Sequence, residues 1–151
     1  MSEENVEVVR RFFEASGRSL KAYWKKPRSL VEAVKANDLD HETGEMWELL
    51  HPDVVWNTDG FGTFRGQLEI ASAWDEILEV TDDYAVSLRG LVDCGQDRVL
   101  ATVDRTATAT GSGMTATFPL FVVVTVRGGL VTQLDEYPGR DQALEAAGLR
   151  E

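Results

Sequence analysis

Apolar residues near the start of the chain fall at Val6, Val9, Phe12 and Phe13, with Val8 and Ala15 beside them, which makes one broad stripe on a helix over residues 3–16. Ser2 suits the cap of that helix, Glu3 and Glu4 its first turn, and Gly17 its end. Over residues 18–45 the pattern is helical but broken: Leu20, Tyr23 and Trp24 keep the spacing and Pro27 interrupts it. Ser29 and Glu32 open a second helix at capping-box spacing, and Asn37-Asp38-Leu39-Asp40 interrupts again. Met46, Leu49 and Leu50 line a further short helix that His51-Pro52 should stop. Val54 to Asn57 has the composition of a strand, and Gly60-Phe61-Gly62 that of a loop. Ile70, Ala73, Trp74, Ile77 and Leu78 then predict a helix over 67–80.

From residue 84 the period changes from helical to extended. Strands are predicted at 84–92, 98–110, 114–127 and 130–137, separated by turns at Gly95, Gly111-Ser112-Gly113 and Gly128-Gly129 that suit hairpins. A last helix is expected over 141–147, with Asp141 as its cap and Gly148 as its stop. Helices followed by long antiparallel strands define an α+β domain, and strands of this length must twist and curl. A curled sheet with helices on its concave face can leave a pocket between the layers, the natural place for a ligand.

The chain of 151 residues, 43% hydrophobic and 27% charged, is read as one domain over 1–151 with a real core. Its formal charge of −11 disfavours nucleic acid and anionic membranes as partners. No apolar run approaches the ~20 residues of a membrane span, and the acidic start lacks the marks of a signal peptide, so a soluble, cytoplasmic protein is expected. Cys94, the single cysteine, can form no internal disulfide, and no Cys/His cluster at metal-binding spacing is present; neither a metal nor another cofactor is expected. Residues 118–126 are apolar on both strand faces, which suggests that a second subunit covers the outer one in a homodimer, unless the N-terminal helices do so.

Several strings are similar to one family. Glu4-Asn5-Val6-Glu7-Val8-Val9-Arg10-Arg11-Phe12-Phe13, then His51-Pro52-Asp53-Val54-Val55-Trp56, then Phe64-Arg65-Gly66 before a helix, resemble SnoaL-like polyketide cyclases. So does the close, from Gly129-Leu130-Val131-Thr132 through Asp135-Glu136-Tyr137 to Ala143–Leu149. The resemblance spans nearly the whole chain except about residues 18–45, which are longer than usual. It implies the cone-shaped α+β fold of the nuclear transport factor 2-like superfamily, whose members include cyclases, ketosteroid isomerases, dehydratases and epoxide hydrolases. Fold alone does not choose among these chemistries.

Acid–base work on a hydrophobic molecule needs a carboxylate in a dry pocket and a donor for a developing oxyanion. Alternation puts Leu130, Thr132, Leu134 and Glu136 on one face of the last strand, and the resemblance to epoxide hydrolases, which carry a catalytic Asp at the position matching Glu136, favours that face as the inner one. Glu136 is thus the first catalytic candidate, against the alternative of a solvated or paired carboxylate. Asp104, in mid-strand, either lines the pocket or makes an exposed cross-strand ion pair. It is adjacent to Arg105, whereas the epoxide-hydrolase pattern separates Arg and Asp by one residue. Asp59 is the carboxylate nearest the general-base position of similar ketosteroid isomerases, or else forms the turn before Gly60. Asn57 or Tyr84 could support an oxyanion. Trp56, Phe61, Trp74, Leu120 and Leu134 would line a pocket for a hydrophobic, ring-bearing ligand. His51 reads as a helix-end cap and His41 as exposed, and Val122-Val123-Val124 stands where several relatives carry a His. The expectation is therefore a cofactor-independent cyclase, isomerase or hydratase-type enzyme, with a non-catalytic binding or dimeric interaction module as the alternative.

Overall fold

The computed structural model describes residues 2–24, 29–39 and 41–149, and side chains within these except those of 2, 18–24 and 41–43. The elements run α1 (Ser2–Trp24), α2 (Leu30–Lys35), α3 (His41–Glu48), β1 (Leu50–Asn57), β2 (Thr63–Arg65), α4 (Gly66–Glu79), β3 (Thr81–Gly95), β4 (Arg98–Ala109), β5 (Thr115–Arg127), β6 (Leu130–Tyr137) and α5 (Arg140–Ala146). The six strands form one curved, unclosed sheet in the order β2-β1-β6-β5-β4-β3. Register irregularities in β3, as between Leu88 and Gly90, bend the long strands around the helices.

Hairpin punctuation predicted antiparallel pairing, and β3 through β6 pair that way, as do β1 and β2. The β1–β6 pair is parallel, because no hairpin joins two strands with the whole of α4 and β3–β5 between them. β1 also begins earlier than expected. His51-Pro52 does not stop a helix: α3 ends at Glu48 and both residues lie in β1, where the His51 Nδ1 accepts from the Asp53 N–H at 3.0 Å. Pro52 is tolerated because it falls where the β1–β6 register shifts, between Leu50 and Val55, so its missing N–H interrupts no regular ladder.

The predicted stripe of the first helix is buried, with Val9, Phe12, Phe13 and Ala15 packed on Val99, Ala101, Val103, Val122 and Val124 of the sheet. Gly17 does not end this helix, which continues to Trp24. A mid-helix glycine costs only about 1 kcal/mol, too little to stop a helix on its own. The expected Ser2 cap, Leu20, Tyr23 and Trp24 side chains, Pro27, Asp40 and the His41 side chain lie outside the described residues and side chains. Ser29 caps α2 as expected, accepting from the Glu32 N–H at 3.1 Å. Asp75 on α4 holds the same helix end, taking the Leu30 N–H at 2.8 Å and the Val31 N–H at 3.1 Å. Asp75→Ala leaves two helix N-terminal donors and the dipole unanswered, and is expected to cost about 1–2 kcal/mol, read by urea denaturation.

At its centre the outer face of β5 is covered by α5 and not by the N-terminal helices. Val123 and Leu100 pack under Ala143, Leu144 and Ala147 of α5, a helix of the same chain. α5 starts one residue early, so Asp141 lies in its first turn while Gly139 is the N-cap. Its end follows expectation. The Gly148 N–H reaches the Glu145 carbonyl and the Leu149 N–H the Leu144 carbonyl, with Gly148 at φ +87°, and Leu149 closes over the small outer core.

Candidate functional site

Strand alternation brings one set of side chains from five strands to the concave face, Leu120 and Val122 among them from β5. β4 turns Val99, Ala101 and Val103 inward, and Arg105 continues that face. Its neighbour across β3 is Val86 and across β5 Phe118. On β6, Leu134 and Glu136 point inward as expected, but Thr132 does not: it is the extra residue of a bulge, and Val131 takes the inward place nearer the strand's start. β1 adds Trp56, β3 adds Tyr84 and α4 adds Trp74.

The Glu136 carboxylate, only 6% exposed, is held from three sides. Oε2 accepts from the Trp56 Nε1–H at 2.8 Å, and Oε1 from the Asp59 backbone N–H at 3.2 Å. The Arg105 guanidinium stands 3.9 Å from Oε1, itself 16% exposed, with its Cζ 4.7 Å from the centre of the Phe118 ring. Burial pushes the Glu136 carboxyl above the usual value of 4.5; Arg105, the Trp56 N–H and the Asp59 N–H pull it back without cancelling the rise, and the Asp59 charge adds to it. Burial likewise raises the Tyr84 hydroxyl above 10.0, opposed by Arg105. Trp56 stacks on Trp74 at 5.3 Å, and Trp74 meets Tyr84 edge-on at 5.4 Å.

This cluster separates two spaces. Behind it lies an apolar cavity of about 50 Å³ reaching Phe12, Phe13, Ser16 and Met46, where the Ser16 hydroxyl donates to the Phe12 carbonyl at 2.9 Å. In front of it a mouth of about 380 Å³ is lined by Phe61, Phe64, Ile77, Val80 and Phe118, with Glu76 at its edge. Trp56, Tyr84, Arg105 and Glu136 belong to both walls. The inner cavity has room for a few waters by size, and the mouth is the larger of the two spaces.

Of the residues singled out from sequence, Glu136, Trp56, Trp74, Tyr84, Leu120 and Leu134 line the inner cavity, and Phe61, 77% exposed, stands at the mouth. Three do not fit the expectation. Asp104 lies on the opposite face of β4, 3.2 Å from Arg89, because its neighbour Arg105 points inward and successive residues diverge. Asn57 follows Trp56 and is likewise turned away; its Nδ2 donates to Asp135 at 2.6 Å and its Oδ1 accepts from Thr63 at 2.7 Å. Asp59 is exposed and reaches the site through its backbone N–H, not its carboxylate. Arg105 was missed. The signal was the unbroken alternation Val99, Ala101, Val103, Arg105, which also shows why Asp104 was the wrong member of the pair. Among the described residues no three His, Cys, Asp or Glu side chains are grouped to hold a metal, and no helix is long and apolar enough to cross a membrane.

Comparison with known proteins places this geometry. A profile of the SnoaL-like domain matches residues 28–134, so the chain belongs to the SnoaL-like domain family. The fold is shared with a protein classed as a SnoaL-like polyketide cyclase from Jannaschia sp. CCS1, 19% identical, TM-score 0.63, over 90% of this chain and 85% of that one. A nuclear transport factor 2-like protein from Burkholderia xenovorans LB400 is 22% identical with a TM-score of 0.60 over 97% of each chain. TerC, crystallised with polyporic acid, is 18% identical with a TM-score of 0.61 over 96% of this chain and 98% of that one. No curated protein matches the sequence.

Proposed function

We propose that the protein is a cofactor-independent acid–base catalyst of the cyclase, isomerase or hydratase kind, acting on a small hydrophobic molecule seated in the mouth. The carrying observation is the Glu136 carboxyl, buried with a raised pKa in the wall that faces both the apolar cavity and the mouth. Such a carboxylate takes a proton from carbon and returns it elsewhere, while Tyr84 and Arg105 supply donors for the oxygen on which charge collects. The test is hydrogen exchange next to the carbonyl of 2-tetralone in D₂O, followed by NMR. Wild type should exchange faster than buffer, Asp104→Asn should match wild type, and Glu136→Gln should fall to the buffer rate. Equal exchange in wild type and Glu136→Gln overturns the assignment. A second reading, a pocket that holds its ligand without reacting, is favoured by the partners already bonded to both Glu136 oxygens; saturable ketone binding without exchange would select it.

A homodimer belongs to the same proposal. With α5 covering the β5 centre, the surface available to a second copy is the rest of the outer sheet, where Thr106 pairs with Thr117 and Thr108 with Thr115, each at 2.9 Å. The threonine pairs carry no charge themselves, and Asp104 beside them on this face is paired with Arg89 at 3.2 Å, so on a chain of charge −11 two copies meet there with less repulsion than elsewhere. Sedimentation at micromolar concentration should give twice the chain mass; a monomer removes this part of the proposal.

A further inference from the structure

The donor and acceptor inventory of the site is unbalanced. Glu136 uses Oε2 for the Trp56 N–H and Oε1 for the Asp59 N–H, with the Arg105 charge alongside. Arg105 is less well served. Its nearest approach to Glu136, 3.9 Å, is beyond hydrogen-bond reach, and its Nε–H is buried with no acceptor. A buried guanidinium donor without a partner is costly and is usually answered by water or a ligand. The site therefore lacks an acceptor, not a donor. What surrounds the gap is apolar and aromatic, with Phe61, Phe64, Ile77, Val80 and Phe118 around a volume within the usual ligand range of about 300–1,000 Å³.

We propose that the ligand is a ring-bearing organic anion, whose carboxylate-type oxygens pair with the Arg105 guanidinium while its rings lie among the aromatic side chains of the mouth. This rests on the reading of the cavity and mouth as the ligand site, and is independent of whether Glu136 performs catalysis. The chain's charge of −11 and Glu76 at the rim argue for a cation instead. Those charges act through solvent that screens them over about 8 Å, whereas the Arg105 guanidinium lines the site itself. Glu136, the one carboxylate deep enough to meet an ammonium group, already holds two N–H donors.

Titration calorimetry with 2-naphthoate, 2-naphthylmethanol and 2-naphthylmethylamine distinguishes the classes on the intact wild-type protein. Naphthoate should bind at least ~10-fold more tightly than the alcohol, the order expected of one charge-assisted hydrogen bond, and the amine no better than the alcohol. Arg105→Gln should bring naphthoate to the level of the alcohol, whose neutral hydroxyl should weaken far less. Arg105→Lys, which keeps the charge but loses the planar fork, should fall between. Naphthoate no tighter than the alcohol in wild type, or the amine tightest of the three, overturns the proposal without reference to any variant's folding. The two readings fail separately. Naphthoate selectivity without tetralone exchange removes the catalytic role and keeps the anion site, and Glu136-dependent exchange without naphthoate selectivity does the reverse.

Discussion

Glu136→Gln is expected to lower turnover about 10²–10⁴-fold, the usual share of a positioned acid or base, and yet to melt at a higher temperature than wild type at neutral pH. The two effects have one origin. The folded carboxyl has a raised pKa, so the protonated form is the one the fold prefers. Below the ordinary glutamate value both folded and unfolded chains hold the proton and Glu136 carries no penalty. As pH rises the unfolded chain releases its proton first, and stability falls until the folded carboxyl has also titrated. Once the folded carboxyl has ionised, the wild type bears that penalty in full, and Gln, which resembles the protonated acid, does not. Melting curves of the two proteins should converge as pH falls through the normal carboxylate range. Turnover, which needs the ionised base, should instead rise with pH across a midpoint above the ordinary Glu value of 4.5. A variant both inactive and less stable at neutral pH would point to a structural carboxylate.

Trp56→Ala is expected to cost about 3–5 kcal/mol, measured by chemical denaturation, because it empties a buried site at the centre of an aromatic stack. The ring lies 5.3 Å from Trp74 and 5.5 Å from Phe64, so its loss leaves both without their face contact. Trp56→Phe separates packing from chemistry. It keeps most of the apolar volume but removes the 2.8 Å N–H bond to Glu136 Oε2, one of the contacts that favour the charged form. The turnover midpoint should therefore move to higher pH in Trp56→Phe, at a smaller loss of stability. An unmoved midpoint would detach the indole from the titration of Glu136.

The architecture was legible wherever a single period governs a segment. β6 was bounded correctly at residues 130–137, and α4 and β4 to within a residue, since apolar spacing and turn glycines act locally. Local pattern misled at His51-Pro52, where proline reads as a stop although a shifted register accommodates it in a strand. It misled again at Gly17, through which α1 continues because a single glycine costs a helix only about 1 kcal/mol. The site was half legible. Glu136 and Trp56 follow from alternation and resemblance, but each strand's inward face depends on bulges such as that at Thr132, which no residue type announces. The choice between Asp104 and Arg105 shows the difficulty: both are charged and adjacent, and only the parity fixed by buried Val99, Ala101 and Val103 selects the arginine. Helix α5 as the cover of β5 was invisible for another reason, since strand pattern says that a face is covered and not by what.

The parallel seam between β1 and β6 sets Trp56 against a carboxylate 80 residues further along the chain. During synthesis, then, the early strand leaves the ribosome with its indole N–H unanswered, and the reactive constellation comes into being only when the final strand docks. A product that ends after β5 would carry most of the apolar side chains of the pocket but none of its acid.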